Sequence, residues 1–211
     1  KAQGFDPDKD LVPVSGVGRV VLLLAVNAKK VPAKTWQELV QYSKTNQINC
    51  GSGGIGSPGH LAVAYLQLVS ALQCTHVPYR GAAPVMQDLL RGNVEAAFVT
   101  SGALIPHVKS GILRALAVST NERVRALPNV PSAAEAGIKD FDARFATMMF
   151  TQPNVPAQIR EYIGDHVREI VKSLELHAIF DAMSIDPYPI NGDQAQALIA
   201  KERERWGRVI K

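Results

Sequence analysis

From Val20 to Val118, short apolar, β-branched runs alternate with stretches whose apolar residues recur at helical spacing. No other feature narrows the fold as much, because strands joined by helices of this length form βαβ units. The segments at 48–50, 74–79, 94–100 and 113–120 read as strands, and "TWQELVQYSKTN", "LAVAYLQLVSALQ", "RGAAPVMQDLLRG" and "SGALIPHVKSG" as the helices between them. The expectation is an α/β fold with mostly parallel sheets flanked by helices.

Local signals sharpen the boundaries. Thr35 with Glu38 three residues on is a capping box, Ser57 followed by Pro58 suits a helix start, and Gly92 suits a helix end. The 58–73 helix is apolar almost all round, which predicts burial on several sides. In the opening "GFDPDKDLVPVSGVGRVVLLLAVN", Ser15, Gly16 and Gly18 break two apolar stretches, suggesting strand, turn and buried strand. Prolines punctuate residues 121–137, with a brief helix expected near Ala133, and "ARFATMMFTQ" reads as extended. Beyond Pro156 the chain turns to amphipathic helices with one strand candidate, "IDPYPI", so a lobe boundary falls near Ala146 to Gln152.

The stretch "GSGGIGSPGH" at 51–60 lies between a strand and a helix start. A helix's first amides have no internal partner, and its dipole adds about half a positive charge, so such a junction suits an anion. The amides of Gly53, Gly54, Ile55, Gly56 and Ser57 can converge there, beside the Ser52 and Ser57 hydroxyls, with His60 bracing the loop. A second strand–turn–helix junction, "PYRGAAP", offers Tyr79, Arg80, Gly81 and Ala82, and a third, "VTSG", offers Thr100 and Ser101. Parallel strands bring all three to one carboxyl edge, where ligands bind in open α/β sheets. The 49 residues between Glu38 and Asp88 contain no acid and only Lys44 and Arg80 as full charges, a setting that suits a carboxylate.

Other chemistries find less support. The spacing Gly51, Gly53, Gly56 fits a dinucleotide pattern, but the acid expected about 20 residues on is missing. Arg80 could instead meet a ribose phosphate, which leaves an NADP-binding Rossmann-like enzyme domain as the alternative. Ser57 stands where a P-loop needs its lysine, so a kinase is excluded. His60, His76, His107, His166 and His177 lack metal-ligand spacing, and no cofactor is expected. Cys50 and Cys74 fall at opposite ends of neighbouring strands on this reading, hence two free thiols. The net charge of +4 sits largely in "KERERWGRVIK", where Glu202 and Glu204 interrupt the basic run, so nucleic acid is not a partner. No run of about 20 apolar residues and no export signal is visible.

The blocks "INCGSGGIGSPGHLA", "HVPYRGAAPVMQDLLRGNVEAAF", "GILRALAVSTNERVRALPNVPSAAEAGI" and "ERWGRVIK" together resemble the Bug-type receptors, periplasmic solute-binding proteins of tripartite tricarboxylate transporters. The resemblance runs from about Phe5 to Lys211. It implies a periplasmic-binding-protein-like (Venus flytrap) fold, a small carboxylate ligand, membrane transporter subunits as partners, and no catalysis. It carries Ser52, Gly53, Gly54, Gly56 and Ser57 over as binders, with Tyr79, Arg80 and Gly81 lining or supporting the cleft. Residues 28–146 then form a complete lobe 2, and 1–27 with 147–211 the remainder of lobe 1, without its own glycine-rich loop. Self-association through the incomplete lobe is a further expectation. The family often has an Asp where this chain has Val99, which disfavours an amino-acid ligand.

Overall fold

Gly16 and Gly18 are not turn residues. They lie inside β1 (Val12–Val20), a nine-residue strand that follows a short α1 (Pro7–Asp10). A Cβ on Gly16 would fall 2.4 Å from the Tyr188 carbonyl oxygen, and one on Gly18 would fall 2.5 Å from the Ile185 side chain. Close approach of the neighbouring strand, rather than chain reversal, requires the missing side chains. The computed structural model describes Gly4, residues 6–139 and residues 141–210, and the Phe5 and Lys211 ends of the resemblance lie outside them.

The chain divides into two compact units at Val20/Val21 and Phe145/Ala146. The second unit contains β2 (Leu22–Asn27), α2 (Trp36–Ser43), β3 (Asn49–Ser52), α3 (Pro58–Ser70), β4 (Thr75–Pro78), α4 (Ala82–Arg91), β5 (Ala96–Thr100), α5 (Ser101–Lys109) and β6 (Leu113–Val118). Its five strands are ordered β4-β3-β5-β2-β6. Pairs β3–β4 and β3–β5 are parallel, whereas β2 runs antiparallel to both β5 and β6. The sheet is therefore mixed rather than mostly parallel. Alternating strands and helices reveal crossovers, but not that an earlier strand has been inserted between two of them.

That insertion also moves the expected 27/28 boundary, since β2 belongs wholly to this unit. All six of its residues are buried. Leu23 and Ala25 join Val85, Leu89 and Leu104 of α4 and α5, while Leu22 and Leu24 face Phe98, Ile138 and Phe141. The buried Ser119 hydroxyl accepts from the Leu22 amide at 2.9 Å and donates to the Ala143 carbonyl at 2.9 Å, closing the sheet top.

Three further local readings change. Helix α3 buries one stripe, Gly59, Ala62, Val63 and Leu66, and leaves Leu68 71% exposed. Around Ala133 there are turns instead of a helix. They are held by Ser132 and Glu135, whose backbone amides each donate to the other's side-chain oxygen. At α2, Thr35 accepts from the Glu38 amide as expected, but the Glu38 carboxylate accepts from Lys34.

In the first unit, β7 (Phe145–Thr151), β1 and β8 (Ile185–Pro187) form a three-stranded sheet in that order. Helices α6 (Ala157–Val171), α7 (Leu174–Met183) and α8 (Gly192–Ile210) complete it. Several of its apolar side chains are exposed, among them Ile159, Tyr162 and Ile170 of α6 and Leu174 of α7. No described helix is long and apolar enough to cross a membrane.

Candidate functional site

Because β3, β4 and β5 are mutually parallel, their carboxyl ends share one edge of the sheet, and α3, α4 and α5 all start there. The first loop is built from within. The Ser57 side chain caps α3 by accepting from the His60 amide at 3.3 Å. Gly54 and Gly56 take φ of +131° and +79°, conformations that side chains resist. Gly59 lets α3 rest on β5, since a Cβ there would lie 2.1 Å from the Phe98 carbonyl oxygen.

The expected convergence of five amides is only partly realised. Gly54 N–H donates to Ser52 Oγ at 3.3 Å, Gly56 N–H to His60 Nδ1 at 3.1 Å, and Ser57 N–H to the Gly54 carbonyl at 3.1 Å. The Gly53 and Ile55 amides make no hydrogen bond to other described residues, and Ile55 is 81% exposed. Ser52 is turned away from the edge: its buried Oγ lies 2.6 Å from His76 Nε2. The His76 ring stacks on His60 with centroids 4.3 Å apart. Burial first, and then the neighbouring His60, hold the His76 imidazole below the usual histidine range.

The second loop is tied to the first. Tyr79 N–H donates to the Ser52 carbonyl at 3.0 Å, and Gly81 N–H donates to that of Gly53 at 3.1 Å, so the Gly81 amide is also committed. The Tyr79 hydroxyl donates to Asp88 Oδ2 at 2.8 Å, and burial together with this bond pushes the phenol up to about 12. Tyr79 thus supports the loop instead of presenting its hydroxyl. Arg80 is exposed and has no ion pair among the described residues.

The amide set expected at Gly81 and Ala82 extends to Ala83, and α5 adds a donor group not expected from the sequence. Helix α4 begins after Gly81 and α5 after Thr100, and neither has a side-chain cap. The first-turn amides Ala82 and Ala83, and likewise Gly102 and Ala103, are left without one. The legible signal at α4 is glycine at the cap position, which brings no side-chain acceptor. Thr100 is exposed at the edge, while Ser101 is buried with its amide donating to the Val21 carbonyl at 3.0 Å. An ideal Cβ on Gly53 would lie 3.8 Å from the Ala82 nitrogen, so the open side of Gly53 faces the start of α4. Val99 sits in the core at 4% exposure and offers the edge nothing.

The arrangement is a concentration of backbone donors and one cation, with no carboxylate in the loops. No group of three or more potential metal ligands occurs among the described residues. Ser52 and His76 have the spacing of a nucleophile and base, but the hydroxyl is fully buried.

The tripartite tricarboxylate transporter family receptor model matches residues 1–211. BugT of Bordetella pertussis is 31% identical over 205 residues, covering 96% of this chain and 63% of BugT, so the chain spans less than two thirds of that relative. The structure of R. palustris Rpa4515 with adipate superposes with a TM-score of 0.92 at 28% identity, covering 99% of this chain and 70% of that one. Periplasmic binding protein BugD has the same fold at 23% identity, with a TM-score of 0.89 over 98% of this chain and 70% of its own. These matches leave the dinucleotide-enzyme reading without support. The chain belongs to the receptor family of the tripartite tricarboxylate transporters, and its fold is that of periplasmic binding proteins, in part.

Proposed function

We propose that this chain captures a small organic carboxylate in the periplasm and presents it to the membrane subunits of a tripartite tricarboxylate-type transporter, without catalysis of its own. The observation that carries this reading is the shared edge at which α4 and α5 start uncapped beside the Gly53 and Ile55 amides. A carboxylate accepts strongly from such groups, and the acid-free window removes the repulsion that would oppose it. Arg80 adds the only full positive charge on these loops. The second unit is then one lobe carrying one carboxylate half-site, and the first unit is part of the other lobe. Adipate, held by the related Rpa4515, is the first ligand to try.

Isothermal titration of the purified chain with adipate, beside a neutral diol of the same length, tests this. Binding of adipate alone is expected. Equal heats from both, or none from a panel of mono- and dicarboxylates, would refute the carboxylate reading.

A further inference from the structure

The two cysteines lie at the same end of the β3–β4 pair, not at opposite ends. In the parallel register Asn49 faces Thr75 and Cys50 faces His76. Cys50, one residue after Asn49, and Cys74, one before Thr75, therefore point to the same side of the sheet. The neighbouring Cys74 thiol, together with burial, pushes the Cys50 thiol up. Both are unbonded here, Cys50 fully buried and Cys74 half-buried. Cys74 precedes the β4 ladder. Its carbonyl accepts from the Gln67 side chain at 2.7 Å. The crossing itself is held by Thr75 N–H donating to the Ile48 carbonyl at 2.8 Å. The two thiols thus share one face at diagonal positions of neighbouring strands, one of them reachable from solvent, and a small movement at the Cys74 end brings them within cross-linking range.

We infer that Cys50 and Cys74 form an intramolecular disulfide when the chain meets a small disulfide oxidant such as oxidised glutathione. The reachable Cys74 thiolate attacks one glutathione sulfur and expels a glutathione thiolate, leaving a mixed disulfide. The Cys50 thiol then gives up its proton, attacks the Cys74 sulfur and expels the second glutathione. Two protein thiols become one disulfide, and two electrons and two protons pass to the oxidant. The bond closes the segment carrying the glycine loop and α3. It also staples β4, an edge strand paired only with β3, to its neighbour. An oxidising compartment, such as the one proposed above, favours it. The readout is covalent and stands whether or not a carboxylate binds.

The test is incubation of the whole chain in a glutathione redox buffer, followed by alkylation under denaturing conditions and mass spectrometry. The expected product has lost two hydrogens, takes up no alkylating agent, and yields a peptide pair linked through Cys50 and Cys74. Cys50→Ser should instead accumulate glutathione on Cys74, because nothing resolves the mixed disulfide. Cys74→Ser should leave the buried Cys50 unmodified. A native chain that keeps both thiols, retains glutathione on Cys74, or cross-links to a second chain would overturn the inference.

Discussion

Replacing Gly53 with leucine separates binding from folding. Gly53 does not have a left-handed φ, and a Cβ there makes only ordinary contacts, 3.7 Å to the Gly81 carbonyl carbon and 3.8 Å to the Ala82 nitrogen. Stability should therefore change by no more than about 0.5 kcal/mol, as for a surface site without strain. The rest of the side chain, however, extends from that Cβ across the start of α4 and covers the amides on which the proposed carboxylate rests. A hydrogen bond to a charged group contributes about 1.5–3 kcal/mol, so losing two weakens binding by about 3–6 kcal/mol, roughly 10²- to 10⁴-fold in Kd. Titration calorimetry with adipate measures the binding, and urea unfolding measures the stability. Gly56→Ala gives the opposite pattern. It meets open space at φ +79°, so backbone strain alone costs about 1–2 kcal/mol of stability. If Gly53→Leu bound adipate as tightly as the parent chain, the α4 amides would not be part of the site. A large loss of stability would show that a side chain at position 53 has no open space to enter.

The His76 imidazole is held low by burial and by His60, so its native pKa lies below the unfolded value near 6.5. The unfolded chain therefore takes up a proton first as pH falls. Its contribution to stability is complete above about 6.5 and is lost as pH drops through the lower native value. Urea midpoints measured across this range should fall for the parent chain and flatten in His76→Gln. Removing the Ser119 hydroxyl strands a buried donor on Leu22 and a buried acceptor on Ala143, so Ser119→Ala should cost about 2–4 kcal/mol in the same unfolding assay, with no change in the denaturant slope.

Element identity was largely legible because it is written locally. Ser57–Pro58, Thr35 and Gly92 mark helix ends through groups within four residues. What failed depends on partners far along the chain. Nothing near Gly16 says that Tyr188 will press against it, so a strand interior looked like a turn. The direction of β2 is set by β5 and β6, and the common end of Cys50 and Cys74 by the β3–β4 register. At the edge, the glycine loop itself was readable. The Ser52 hydroxyl looked available only because His76, which turns it inward, lies 24 positions away. The α4 amides were readable from the glycine at 81, whereas the start of α5 was not, because Thr100 is a residue type that normally supplies a cap and here supplies none.

The central place of β2 bears on biosynthesis. Leu22–Asn27 leaves the ribosome well before its partners at 96–100 and 113–118. Until Thr100 has been made, this apolar segment has no ladder to join, and such long-range pairing is slow. Until then the strand's unpaired backbone and apolar side chains are open to pairing with other copies of the chain.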